Sequence, residues 1–382
     1  MKKKKSGPII GLLLTLLFFG VFIYWLITPS AEQELVEKIK LSTSIEEVKN
    51  LYLPAKSEFT ETGADGNLVT SEYLQDAVRE KLTSMKLKEN EIQECLKWIP
   101  PKKMNLNLIV VPDWSNRLKT FPDQAERDLE ILQCVFETFK KRVSSKQNSR
   151  DLLMVEVTDP AQANGEFSKY ADDLRIDLGS HQGKSNRLFF IPELESRYKN
   201  SLKEIYRRVL ALYNVDKPKT KSADYWSFFG TNCSGMNNKI KKDDFYNGYS
   251  NKILILSDGL MDGYRGQDFK VYTKMHYDPE GIKFCNRFLS ASKSEILEII
   301  EEVGAKIPHH TEVDLSDTKI MLCETRSQPA AFDALTQLNV IEVYWSDWLH
   351  GMHLPKENFK FYKHEDSSAE TIRNIEEFVL FD

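Results

Sequence analysis

The chain has 382 residues, of which 41% are hydrophobic, 11% aromatic and 29% charged. That is enough apolar material for one large core or two smaller ones, and it excludes a disordered chain. The net charge is −5, and no long basic stretch follows the first few residues, which excludes nucleic acid as the main partner.

Lys2, Lys3, Lys4 and Lys5 precede an uncharged apolar run from Ile9 to Thr28. About 20 such residues, at ~1.5 Å rise each, cross a bilayer core. Tyr24 and Trp25 stand near its far end, where interfacial aromatics are favoured. Residues 1–30 therefore read as cytoplasmic lysines and a transmembrane helix. This predicts a single-pass protein of the inner (cell) membrane, anchored by residues 9–28, with everything after Pro29 periplasmic or extracellular. The competing reading is a cleaved signal peptide, whose apolar core normally runs to only ~7–15 residues.

Residues 31–103 are polar and helix-prone, and Ser44 with Glu47 has capping-box spacing. The apolar spacing is helical without a sustained heptad, so the stretch reads as a helical stalk or small segment, ended by Pro100-Pro101.

From Met104 to the C-terminus the period changes. NLNLIVV (105–111) is an apolar strand, and residues 122–143 form a long amphipathic helix. DLLMVEV (151–157) is a second strand, and RLFFIPEL (187–194) reads as a third, placed at an edge by Pro192. A helix follows it. KILILSDG (252–259) is the most strand-like segment of the chain. Residues 292–304 form a helix stopped by Gly304, and TKIMLCET (318–325) is another buried strand. The helix ALTQLNVIEVYWSDWLHGM, the short strand NFKFYKHE and a serine-capped C-terminal helix complete the chain. Strands alternate with helices and several are wholly apolar. That predicts an α/β fold: a doubly wound, mostly parallel sheet with helices on both faces.

In such sheets ligands bind outside the carboxyl ends of the strands. Asp113 and Ser115 follow one apolar strand, and Ser257 and Asp258 follow another. Their convergence would give an oxygen-only donor set, suited to Mg²⁺ or Ca²⁺ rather than zinc. The alternative is local: Asx-turns and a helix cap at 113–115, and an ordinary turn at Asp258-Gly259.

A strand ending in Asp-x-Ser, a following helix, and a later strand ending in Leu-Ile-Leu-Ser-Asp-Gly resemble a von Willebrand factor A domain across residues 104–382. The resemblance implies a metal-ion-dependent adhesion site holding Mg²⁺ (or Ca²⁺ or Mn²⁺). Asp113, Ser115 and a loop hydroxyl would contact the ion, with Asp258 acting directly or through water. An acidic group of a partner protein would fill the open position. Ser222 is the first candidate for the loop hydroxyl, followed by Thr220 and then Thr231. The chain departs from the family where Arg117 replaces the second serine. A guanidinium offers a metal no lone pair, and Arg117 could itself enter the cleft and pair with Asp258.

Asp262, Arg265 and Asp268 lie in the loop after LILSDG, either as a partner-binding rim or as solvated loop charge. Trp345 and Trp348 share a helix face and read as core. His309-His310 lacks a third ligand at a recognisable spacing, GTNCSG is no phosphate loop, and no GxSxG elbow is present. The five cysteines show no CxxC pairing and read as small buried hydrophobes, and an exported domain could hold one disulfide. The expected function is protein binding or complex assembly outside the cytoplasm. The rival readings are a metal-dependent hydrolase, disfavoured by the sparse acidic set, and a metal-free scaffold, favoured by Arg117.

Overall fold

Leu106, Leu108, Ile109, Val110 and Val111 are wholly buried in the computed structural model. Each such side chain contributes about 1.5–3 kcal/mol when taken out of water. Residues with burial on both faces belong in the middle of a sheet, and this strand lies there. The structure describes residues 29–62, 68–100, 102–115, 117–144, 146, 148–158, 167–181, 183–213, 223–244, 246–261, 286–327 and 333–381.

The chain divides at Lys102/Lys103 into two compact units. The first contains α1 (Ala31–Leu41), α2 (Ile45–Ala55), the antiparallel pair β1 (Thr60–Thr62) and β2 (Leu68–Thr70), α3 (Glu72–Ser84) and α4 (Glu89–Cys95). Its core includes Val36, Ile39, Val48, Leu74, Val78 and Leu82. Ser44 caps α2 by accepting from Glu47 N, but the Glu47 carboxylate accepts from Thr43 N, so the predicted box forms with a shifted partner.

The second unit is α/β. Its elements are β3 (Lys103–Pro112), α5 (Arg117–Thr120), α6 (Gln124–Ser144), β4 (Leu152–Val155), β5 (Arg175–Asp177), α7 (Lys184–Tyr213), α8 (Tyr225–Asn232), β6 (Asn247–Leu256), α9 (Lys293–Glu302), β7 (Thr318–Thr325), α10 (Ala334–Gly351), β8 (Phe359–Lys363) and α11 (Ser368–Leu380). The six-stranded sheet has the order β5-β4-β3-β6-β7-β8. All neighbours are parallel except β4 and β5. Leu106, Leu108 and Val110 face a layer that holds Ile131, Tyr206 and Ile375, from α6, α7 and α11. Ile109 and Val111 face the opposite layer, with Phe229, Ile296 and Trp345, from α8, α9 and α10. Helices therefore cover both faces. Trp345 and Trp348 are core residues, in edge-to-face contact at 5.8 Å.

The structure corrects the expected edge strand at 187–194, which belongs to the 30-residue helix α7. Arg187, Ile191, Tyr198, Leu202 and Ile205 are buried at intervals of three, four or seven, a helical stripe, whereas a strand would alternate. Pro192 withholds one N–H from the carbonyl of Leu188, four residues earlier. Leu188 is 46% exposed, so water can satisfy that carbonyl. The edge strand is β5 instead, paired antiparallel to β4.

A second correction concerns the membrane. Among the described residues no helix is long and apolar enough to cross a bilayer, against the expectation of a single-pass transmembrane protein. Residues 9–28, on which that expectation rested, lie outside the described residues. The single-pass inner-membrane placement, with its periplasmic or extracellular domain, is not carried forward.

Candidate functional site

Within this sheet the chain runs outward from β3 to β4 and β5 on one side, then returns to β6 and runs outward on the other. The switch point falls between β3 and β6, where open α/β sheets place their crevice. Pro112 pairs with Leu256 at the last register position, so Asp113 and Ser257-Asp258 leave the sheet side by side. Asp113 N donates to Leu256 O at 2.8 Å, and Ser257 Oγ donates to Asp113 Oδ2 at 2.7 Å. The sequence thus brings Asp113, Ser115 and Asp258 to one sheet edge.

Their local geometry is that of turns. Asp113 Oδ1 accepts from Ser115 N at 3.0 Å, Ser115 Oγ accepts from Arg117 N at 3.3 Å, and Asp258 Oδ1 accepts from Leu260 N at 3.0 Å. Ser257 Oγ also accepts from Gly259 N. Gly259 adopts φ +79°, and a Cβ there would meet Ile341 Cγ2 at 2.6 Å, so the turn after β6 requires glycine.

Arg117 is the centre of the site. Its side chain is 1% exposed and turns inward. Nε donates to Asp113 O at 2.9 Å and lies 3.8 Å from Asp113 Oδ2. One terminal nitrogen donates to Asp128 Oδ2 at 2.5 Å and to Leu256 O at 3.0 Å. Arg117 thereby ties the ends of β3 and β6 to α6. Its ion pairs are with Asp128 and Asp113, and Asp258 adds only a more distant charge, which corrects the expected pairing with Asp258. Burial opposes the guanidinium charge, but Asp128 and Asp113 outweigh it and raise the group above its ordinary value. Burial also pushes the Asp128 carboxyl up, while Arg117, Gln124 and Tyr206 pull it down. Gln124 donates to Asp128 at 2.7 Å and Tyr206 at 2.9 Å.

A second buried carboxylate continues the network. Glu324, at the end of β7, is 0% exposed and has φ 68°, beside an irregularity in the β7–β8 register. Arg127 donates to both its oxygens, at 2.7 and 3.0 Å. Thr371 of α11 donates at 2.8 Å, Gln124 lies at 3.2 Å, and His364 Nδ1 lies at 2.8 Å. Arg326 stacks over Phe121 and bonds to Gln124.

Sequence reading missed Asp128, Arg127, Tyr206, Glu324 and Thr371. One signal was present: Gln124 and Asp128 stand on the same helical stripe as Ile131, Leu132 and Val135, where a carboxylate needs a partner. Of the other predicted positions, Ser222, Thr220, Asp262, Arg265 and Asp268 lie outside the described residues. Thr231 is exposed at the far end of α8. His310 bonds to Trp226 O at 2.8 Å and packs on the Trp226 ring. Cys95, Cys134, Cys233 and Cys323 are free thiols, burial pushes Cys233 up to about 12, and Cys285 lies outside the described residues.

The described part of the donor set, Asp113 and Ser115, is already engaged within the protein. Each Asp113 oxygen already accepts a hydrogen bond, and so does Ser115 Oγ. An ion on Asp113 would share that carboxylate with a buried guanidinium that cannot lose its charge. Among the described residues no group of three His, Cys, Asp or Glu side chains is arranged to hold a metal. No family model, curated protein or solved structure matches the chain.

Proposed function

We propose that residues 103–382 form a von Willebrand factor A-like protein-binding module whose strand-end crevice is closed by an internal ion pair instead of a cation. The observation that supports this reading is the placement of Asp113 and Asp258 at adjacent strand ends, with Arg117 between Asp113 and Asp128. The sheet order puts the crevice there. Without an ion, an acidic group on the partner has no metal to complete, so recognition falls to the rim of the carboxyl edge. The unit holds a complex together and performs no chemistry of its own. A metal hydrolase fits less well, because it needs carboxylates free to hold an ion and orient water, and these carboxylates are hydrogen-bonded or paired.

Two results are expected. In thermal unfolding of the full chain, Mg²⁺, Ca²⁺ and Mn²⁺ leave the melting temperature where EDTA leaves it. A cation bound at ~100 times its dissociation constant would add about 2.7 kcal/mol, so a rise abolished by Asp113→Ala restores the metal reading. The second result concerns binding. Leu335, 58% exposed, begins α10 at the carboxyl edge, and Met104, 44% exposed, begins β3 at the opposite edge. A photo-crosslinking residue at Leu335 gives a discrete adduct in cells, and one at Met104 does not. Equal adducts from both positions, or none from Leu335, remove the carboxyl edge as the binding surface.

A further inference from the structure

A separate cleft of about 570 Å³ lies between α9, α10 and the turn that leads into β8. Its volume falls in the range of about 300–1,000 Å³ typical of small-molecule sites. Leu297, Val343 and Phe359 supply apolar lining, and Ser346, His350 and Lys356 supply polar points. Because α10 runs back from the carboxyl edge, His350 near its end lies toward the amino edge of the sheet, away from Arg117.

Three features point to the chemistry of a ligand. The Nε2 atom of His350 is buried with no hydrogen-bond partner, a costly state for a ring nitrogen. Nδ1 lies 3.4 Å from Ser346 Oγ. When that hydroxyl donates to Nδ1, the proton sits on Nε2 and is available to a ligand. Glu342 is paired with Lys293, and Asp347 shares Lys306 with Glu301. Lys356 has no ion pair among the described residues, so its ammonium is the charged group of the cleft left for a ligand. Burial, and then Lys356, push the His350 imidazole below its ordinary value, so the ring is neutral when a ligand enters.

We propose that this cleft binds a small amphiphilic carboxylate. The apolar body lies against Leu297, Val343 and Phe359, and the carboxylate sits between Nε2 of His350 and the ammonium of Lys356. A buried donor without a partner explains why the ligand needs an acceptor. The unpaired lysine explains why that acceptor is anionic. A cationic head group would meet Lys356 with like charge.

The test uses the full chain and three probes with one body and different heads: octanoate, octanol and octylamine. Ring resonances of the histidines are followed by NMR, with His350→Gln to assign the His350 signal, and affinities are measured by calorimetry. Octanoate shifts the His350 resonance saturably, octanol binds about ten-fold or more weakly, and octylamine does not saturate. Lys356→Glu, at an exposed position, weakens octanoate about ten-fold or more and leaves the melting temperature unchanged, as expected for one charge-assisted contact. Leu297→Trp fills the cleft and abolishes binding. Equal affinity for octanoate and octanol overturns the carboxylate assignment. An unmoved His350 resonance, or octanoate binding that is unchanged in Lys356→Glu, overturns the site. If Leu297→Trp fails to fold, the wild-type resonance and Lys356→Glu still decide.

Discussion

Arg117→Met lowers the stability of the folded chain by about 3–5 kcal/mol, measured by chemical denaturation, because it strands two buried carboxylates. Asp128 is 0% exposed and Asp113 is 1% exposed, so neither can turn to water once the guanidinium is gone. The variant also removes the bond to Leu256 O and so loosens the seam between the ends of β3 and β6. Asp128→Asn retains the packing but leaves the guanidinium with Asp113 as its single charged partner, and it is also expected to be destabilising. The two losses are not additive, since each substitution removes the same pair. If Arg117→Met unfolds at the same denaturant concentration as the wild type, the ion pair does not hold the crevice shut, and the proposal of a cation-free closure fails with it.

Glu324 produces the second large effect, which depends on pH. Burial acts to raise its carboxyl, but hydrogen bonds from His364, Arg127 and Thr371, with the charge of Arg127, outweigh burial and hold it far below the ordinary carboxylate value. The folded pKa is therefore below the unfolded one. The contribution of this carboxylate to stability is fully present above the unfolded value of ~4.3 and is lost as pH falls through the depressed folded value. Glu324→Gln removes that dependence. Stability measured from pH 7 downward therefore falls more steeply below about pH 4.5 in the wild type than in the variant. At neutral pH the variant is less stable by about 3 kcal/mol or more, since Arg127 is left 10% exposed beside an uncharged partner. Parallel pH profiles for the two proteins would show that Glu324 is not the carboxylate responsible. The φ of 68° at Glu324 adds a local backbone cost, which persists only because the surrounding bonds fix the residue.

Much of the second unit was legible in the sequence because its four inner strands, β4, β3, β6 and β7, are largely buried on both faces. TKIMLCET matches β7 residue for residue, and KILIL lies within the longer β6. The extra residues of β6, from Asn247, are polar and escape a hydrophobicity reading. Asn251 is one of them, tied to Asn107 across the strand pair at 2.7 Å. The edge strand was misplaced for the opposite reason. Arg175–Asp177 has three residues and one buried side chain, too little for a pattern, whereas RLFFIPEL has apolar content without strand alternation.

At the strand ends, the sequence determined that Asp113 and Asp258 would follow apolar strands. Whether those strands are neighbours depends on register, and register forms between residues about 140 positions apart. The role of Arg117 shows the same division. Its identity alone implied that it was a poor metal ligand. Only the folded chain brings Asp128 from α6 and Leu256 from β6 within bonding distance of its guanidinium. Hydrophobic periodicity is a local property of the sequence and specified the layers. The pairing of buried charge is a property of the packed core, so the tertiary structure alone decided that Arg117 would lie between Asp113 and Asp128.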